Sequence, residues 1–254
     1  MITLSEIAAG FEKGEFFLEY QPVMSLKENR CVGGEALIRW RRGARVIPPM
    51  DFIPLVENTY LSGTMTYWVV DKVAEEFGAW LREHQDVHIA INVPPEVFGR
   101  GGVRYAAEKA NLLSIANKFL LEVTERGVPD RLGIEELNDA YNTGVLIALD
   151  DAYVNDANLV VMSRVRFDIV KIDKSFADQM LRDDWAPEKI SGLATLIRTT
   201  NLKVVIEGVE EAAQIEILRA AGVDLVQGWY FSRSLSAADF KTYFSANGGR
   251  KIPI

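Results

Sequence analysis

Val145-Leu146-Ile147-Ala148-Leu149-Asp150-Asp151 is a run of five apolar residues that leads straight into two acids. The run is short, begins just after the turn residue Gly144, and reads as a buried parallel strand. The same plan recurs along the chain. The run 87–93 ends around Asn92, 119–123 carries Glu122, 167–170 leads into Lys171, 202–206 into Glu207, and 223–226 into Gln227. Polar groups set repeatedly at one end of buried strands are costly unless they share a purpose. In a parallel barrel the carboxyl ends of all the strands lie on one face, where an active site is built.

The intervening segments fit that plan. Thr3 and Glu6 match a capping box, and Leu4, Ile7, Ala8 and Phe11 follow at helical spacing, predicting a first helix over 4–12. Residues 15–26 and 30–41 read as strands joined by a polar turn at 27–29, too short for a parallel crossover and therefore antiparallel. Helices are expected over 63–82, 103–116, 131–142, 156–163, 187–200, 210–220 and 237–245, alternating with the strands. Alternating β and α with right-handed crossovers builds a parallel sheet. Eight strands in 254 residues predict a closed α/β barrel with one reversed strand near its start. A dinucleotide-binding sheet is the weaker reading, because no G-x-G-x-x-G and no P-loop is present.

Strand parity adds a layer. If Asn92, Glu122, Asp150, Lys171 and Glu207 point into the barrel, so do Ala90, Leu120, Ala148, Ile169 and Val205, two residues earlier. The intervening Ile91, Leu121, Leu149, Val170 and Ile206 then face the helices.

Composition sets limits. At 48% hydrophobic and 25% charged, the chain has ordinary globular composition, and no linker or low-complexity stretch divides it, so one domain over 1–254 is expected. No apolar run approaches the roughly 18 residues of a membrane span, and the start lacks the pattern of a secretory signal. The net charge of −8 argues against DNA or RNA polymers as partners, though not against a small anion at a local cationic site. The one cysteine, Cys31, permits no internal disulfide and no zinc cluster, which predicts a cytoplasmic setting.

Glu35, Asn92, Glu122, Asp150, Asp151 and Glu207 form an all-oxygen set. Five carboxylates crowded in a low dielectric repel one another, and divalent cations relieve that repulsion. Oxygen donors suit hard ions such as Mg²⁺ or Mn²⁺. Adjacent Asp150 and Asp151 would let one carboxylate bridge two metals, the usual clamp for in-line attack on a phosphate ester. Lys171 would orient the attacking water and offset charge on the phosphorane. A lone acid at a strand end is ordinarily a helix cap or a solvated loop residue, but six coincident strand ends are not. In the cluster Arg39, Arg41, Arg42 and Arg45, Arg39 is the anion contact to expect and the rest a solvated rim. His88 reads as structural, and with only His84 besides it no Ser–His–Asp arrangement is supported.

The run Glu35-Ala36-Leu37-Ile38-Arg39-Trp40 resembles the signature of the EAL domain, the bacterial cyclic di-GMP phosphodiesterase. The likeness continues through Tyr20-Gln21-Pro22, Phe52-Ile53-Pro54, Ile91-Asn92-Val93, Leu121-Glu122-Val123-Thr124-Glu125, Asp150-Asp151, Lys171-Ile172-Asp173, Glu207-Gly208-Val209-Glu210 and Gln227-Gly228, in that order. It implies a modified TIM-type (β/α)8 barrel with one antiparallel strand, often dimeric, that opens cyclic di-GMP to linear pGpG with two Mg²⁺ or Mn²⁺ ions per site. By that similarity Glu35, Asn92, Glu122 and Asp150 would hold one metal, and Asp150, Asp151 and Glu207 the other. Lys171 and Gln227 would position the water, Arg39 would contact phosphate, and Gln21, Leu37 and Glu210 would help seat the ligand. The text around Cys31-Val32-Gly33 and Asp173-Lys174-Ser175-Phe176 is similar to EAL domains attached to membrane-bound periplasmic sensors. That implies a sensory domain in a longer, membrane-anchored parent, with this part on the cytoplasmic side.

One segment departs from the family. Its usual Phe-Gly-Thr-Gly-Tyr-Ser-Ser after the paired aspartates is here Ala152-Tyr153-Val154-Asn155-Asp156-Ala157-Asn158. Both glycines are gone, and Tyr tolerates positive φ poorly. In the family this loop supports the second metal and dimer coupling and is anchored by the equivalent of Glu125. The altered loop predicts low or conditional phosphodiesterase activity. The alternative is a catalytically silent receptor for cyclic di-GMP or a protein-interaction module.

Overall fold

The computed structural model describes residues 2–124, 128–150, 164–181 and 187–248. Its hairpin of β1 (Phe16–Ser25) and β2 (Arg30–Arg42) pairs antiparallel from Phe16↔Trp40 to Ser25↔Arg30, with a bulge between Val23 and Met24. From β2 the sheet runs parallel through β4 (His88–Val93), β5 (Phe119–Val123), β6 (Leu146–Leu149), β7 (Ile169–Ile172), β8 (Lys203–Ile206) and β9 (Leu225–Gln227). β9 then pairs antiparallel with β1 and closes a barrel of eight strands in which β1 is the reversed one. A short β3 (Arg45–Ile47) extends β2 outside the ring.

Helices α1 (Leu4–Glu12), α2 (Ile53–Val56), α3 (Tyr60–Glu83), α4 (Gly102–Lys109), α5 (Arg131–Asn142), α6 (Lys174–Gln179), α7 (Pro187–Thr199), α8 (Ala212–Ala220) and α9 (Ala237–Asn247) accompany the strands. The expected capping box at Thr3 is present, with both reciprocal hydrogen bonds. No helix among the described residues is long and apolar enough to cross a membrane.

The barrel wall is apolar on both sides. Ala90, Leu120, Ala148, Ile169, Val205 and Leu225 form an interior cluster, the floor that strand parity requires. Ile91, Leu121 and Ile206 belong to the larger core between sheet and helices, and Leu149 and Val170 are buried as well. A third cluster around Ile7, Phe16, Trp40, Phe52 and Met65 packs α1 and α2 against the hairpin.

Several elements differ from expectation. The helix expected over 103–116 stops at Lys109; Asn111 takes φ +55 and a 3-10 segment, Leu113–Lys118, follows. A left-handed residue of this kind ends a helix, and Asn tolerates it better than most. β7 lies two residues beyond the expected 167–170, because its pairing with β8 continues to Ile172↔Ile206. Lys171 therefore stands inside the strand and not past its end. β3, α2 and α6 are too short for a periodic signal and were not expected. The helix expected over 156–163 lies outside the described residues.

Candidate functional site

The barrel's carboxyl end gathers side chains from six strands around one ammonium group. Lys171 Nζ lies 2.6 Å from Glu207 Oε1, 2.9 Å from Glu122 Oε2, 3.0 Å from Asp150 Oδ1 and 3.3 Å from Glu35 Oε2. Glu35 comes from β2, Glu122 from β5 and Lys171 from β7, while Asp150 and Glu207 directly follow β6 and β8. Asn92 of β4 donates from Nδ2 to Glu35 Oε1 at 2.8 Å, and Gln227 of β9 donates from Nε2 to Glu35 Oε2 at 2.8 Å. The register explains the convergence: Asn92 stands opposite Glu122, Glu35 opposite Ala90, and Lys171 opposite Val205. Inward residues of adjacent strands thus rise in step above the apolar floor.

The backbone after two of these residues needs glycine. Gly208 has φ +67, and a Cβ there would lie 2.2 Å from Lys174 Cβ. A Cβ on Gly228 would meet the backbone of Val209 at 2.1 Å. The turns that follow Glu207 and Gln227 pack too closely for a side chain.

The electrostatics are unbalanced. Four carboxylates face one ammonium, in a site where Glu122 and Lys171 are almost fully buried. Burial, with the charges of Glu35 and Asp150, pushes the Glu122 carboxyl well above its usual range. Burial pushes Glu207 to about 7 against the pull of Lys171. Burial also acts to raise Glu35, but Lys171 and the hydrogen bonds from Gln227 and Asn92 hold it below its usual value. Burial acts to strip Lys171 of its proton, and the four carboxylates more than reverse that, so it stays a cation.

The donor set fits hard divalent ions. Every donor is oxygen or amide, negative charge exceeds positive, and the buried Oε1 of Gln227 has no hydrogen-bond partner among the described residues. Among the described residues no three Asp, Glu, His or Cys side chains already stand as a metal cage. The carboxylate oxygens gather on Lys171 instead. Asp151 and Glu125, expected as a ligand and a loop anchor, lie outside the described residues, as does the departing segment 152–158.

A cleft of about 290 Å³ opens beside the cluster, lined among others by Leu37, Arg39, Asn92, Thr124 and Asp150. Gln21 is buried next to Glu35 across the hairpin and donates from Nε2 to the Ser232 carbonyl at 2.7 Å. Glu210 is exposed, with its N–H bound to Gln214 Oε1. Two residues not singled out in the sequence touch Arg39, namely Glu19 and Ser234. Counting back by two from Gln21 along β1 would have found Glu19; Ser234 carries no such signal. A second cavity of about 330 Å³ lies between α4, α5 and the outer barrel wall and holds none of these residues.

The EAL domain family model matches residues 5–234. The probable cyclic di-GMP phosphodiesterase PdeB of Escherichia coli (strain K12) is 34% identical over 233 residues, which is 90% of this chain and 44% of that protein. The bifunctional diguanylate cyclase/cyclic di-GMP phosphodiesterase MucR of Pseudomonas aeruginosa is 31% identical, over 92% of this chain and 35% of that protein. The chain thus spans less than half the length of these two curated relatives. The solved structure of the PaMucR phosphodiesterase in complex with c-di-GMP superposes with a TM-score of 0.82 at 30% identity, covering 93% of this chain and 98% of that one. The EAL enzyme Bd1971, solved with cAMP and cyclic-di-GMP bound, gives a TM-score of 0.84 at 25% identity over 94% of this chain and 67% of that one. The matched span takes in every strand of the barrel and every polar residue gathered at its mouth, and the chain belongs to the EAL domain family.

Proposed function

We propose that this chain is a metal-dependent phosphodiesterase that hydrolyses cyclic di-GMP to linear pGpG. The observation that carries the reading is the convergence of Glu35, Glu122, Asp150 and Glu207 on Lys171, beside a cleft that also holds Arg39, in a barrel of the EAL family. Glu35, Asn92, Glu122 and Asp150 would hold one Mg²⁺ or Mn²⁺, and Asp150, Asp151 and Glu207 a second. When bound, such ions stabilise charge on the phosphorane and acidify a water.

The chain's own groups do the rest. Lys171 keeps its proton among four carboxylates, so it serves as a cationic donor and not as a base. It orients the attacking water from the barrel interior and offsets negative charge at phosphorus. Gln227, fixed through Nε2 on Glu35, offers its Oε1, which has no partner among the described residues, to a proton of that water. Arg39 binds a phosphate oxygen, while Gln21, Leu37 and Glu210 help seat the nucleotide. Water oxygen bonds to phosphorus, one P–O3′ bond breaks, and the 3′ oxygen takes a proton, leaving a single 5′ phosphate on pGpG.

A second reading has one observation in its favour. The Lys171 ammonium already sits amid the carboxylates, which suits a receptor that binds cyclic di-GMP without turning it over. Incubation with cyclic di-GMP and Mg²⁺ or Mn²⁺, followed by mass spectrometry, separates the two. The phosphodiesterase yields pGpG. Binding without product under both metals establishes the receptor.

A further inference from the structure

Arg39 is held by two residues from distant parts of the chain. The hairpin register pairs Phe17 with Arg39, Glu19 with Leu37 and Gln21 with Glu35. Glu19 is therefore the diagonal neighbour of Arg39, on the face that carries Gln21 and Glu35. Arg39 Nε donates to Glu19 Oε2 at 2.9 Å, and Nη2 donates to Ser234 Oγ at 3.2 Å. The Ser234 hydroxyl donates in turn to the same Glu19 oxygen at 2.6 Å. Nη1 donates to the carbonyl of Ile38 at 3.1 Å.

Ser234 is itself fixed. The segment after β9 runs along β1 through reciprocal bonds, Tyr20 N–H to Leu235 carbonyl at 2.7 Å and Leu235 N–H to Tyr20 carbonyl at 2.9 Å. Two residues back, the Ser232 carbonyl accepts from Gln21. The clamp on Arg39 is thus built into the seam that closes the barrel.

A guanidinium carries five N–H groups in a rigid planar fork. Among the described residues, one N–H on each nitrogen is used within the protein, and one on each Nη is left. We propose that Glu19 and Ser234 are positioning residues that hold Arg39 so that its two remaining Nη N–H groups meet a phosphodiester oxygen of the ligand in the cleft. The proposal rests on the ligand reading given above. A long side chain fixed before binding loses less freedom when the ligand arrives, so the clamp acts on affinity more than on chemistry. Glu19 offsets part of the Arg39 charge, so the opposite outcome is physically open: a carboxylate that merely competed with phosphate would weaken binding, and its removal would tighten it.

The test compares Glu19→Ala, Glu19→Gln, Ser234→Ala, Ser234→Thr and Arg39→Ala in the full chain. KM and kcat for cyclic di-GMP are measured with Mg²⁺, alongside the Arg39 Nε–H resonance by NMR. Loss of a charge-assisted bond predicts that KM rises about tenfold in Glu19→Ala and several-fold in Ser234→Ala, with kcat within about twofold. Ser234→Thr keeps the hydroxyl and should restore KM, and Glu19→Gln keeps an acceptor oxygen and should restore part of it. Combined with Arg39→Ala, neither alanine variant should raise KM further. The Nε–H signal should exchange slowly with water in the wild type and be lost in Glu19→Ala. Unchanged or lowered KM in both alanine variants overturns the proposal, as does a protected Nε–H signal that survives them. A wild type that neither binds nor hydrolyses cyclic di-GMP defeats the functional reading, and the Nε–H signal then decides the clamp alone.

Discussion

Lys171 Nζ lies 2.9 Å from Glu122 Oε2 inside the barrel, where both side chains are only 2% exposed. A buried pair of this kind is weak evidence for stability, because desolvation offsets most of the Coulomb gain. Removing one partner is a different matter. Lys171→Met would leave four carboxylates facing one another with no cation, at a cost of about 3–5 kcal/mol in metal-free buffer. Urea unfolding in EDTA should show that loss, and excess Mg²⁺ should recover part of it. The same variant should lower kcat at least a hundredfold while shifting the affinity for cyclic di-GMP far less. An unchanged rate would remove Lys171 from the reaction.

Glu35 is the hub of the hydrogen bonds, accepting from Asn92 at 2.8 Å, Gln227 at 2.8 Å and Lys171 at 3.3 Å. Glu35→Ala strands the amide of buried Gln227, an unsatisfied donor worth about 1–3 kcal/mol, and that of half-buried Asn92, which costs less. Turnover should fall below detection if Glu35 holds a metal as proposed. Glu35→Gln keeps the volume and should retain the fold, with the rate still down by a factor of about 10² or more. Mass-spectrometric detection of pGpG from Glu35→Gln at a rate near the wild type would show that the carboxylate is dispensable.

Much of this was legible in the chain, for a definite reason. Side chains alternate along a strand, so placing Asn92 and Glu122 inward also places Ala90 and Leu120 inward, and the structure stacks those residues as the interior floor. The reversed strand followed from a three-residue turn that no parallel crossover could use. Legibility stopped where spatial neighbours come from far-apart stretches. That Lys171 would sit within 3.3 Å of four acids depends on where β7 ends, and pairing with β8 moved that strand two residues along. The Glu19–Arg39–Ser234 contact joins the first strand to the segment after the last, and no local pattern announces it.

Metal should stabilise the fold as well as enable turnover. The carboxylates are preassembled, and the excess negative charge is relieved by raised carboxyl affinities at Glu122 and Glu207. A divalent ion that binds only the folded state adds about 2.7 kcal/mol at a hundred times its dissociation constant. Mg²⁺ or Mn²⁺ should therefore raise Tm in a concentration-dependent way, and EDTA should reverse the rise and stop pGpG formation. The shift should be absent in Glu35→Ala. An equal shift in that variant would mean the ions bind elsewhere.

His88 gives a pH dependence that leaves the carboxylate cluster aside. It opens β4 at the amino end of the barrel, opposite Gly33. Burial, then the nearby Lys118 and to a lesser extent Lys203, hold its imidazole below the usual 6.5, against opposite pulls from the Val32 backbone and Asp86. The folded protein thus keeps His88 neutral at pH values where the unfolded chain has already taken up a proton. That preference for the folded state is fully present above about 6.5 and is lost as pH falls from there through the lower folded value. Urea unfolding from pH 7.5 to pH 5 should show the wild type losing more stability than His88→Gln, which cannot titrate. Parallel losses in the two proteins would show that His88 accepts its proton as readily in the fold as outside it.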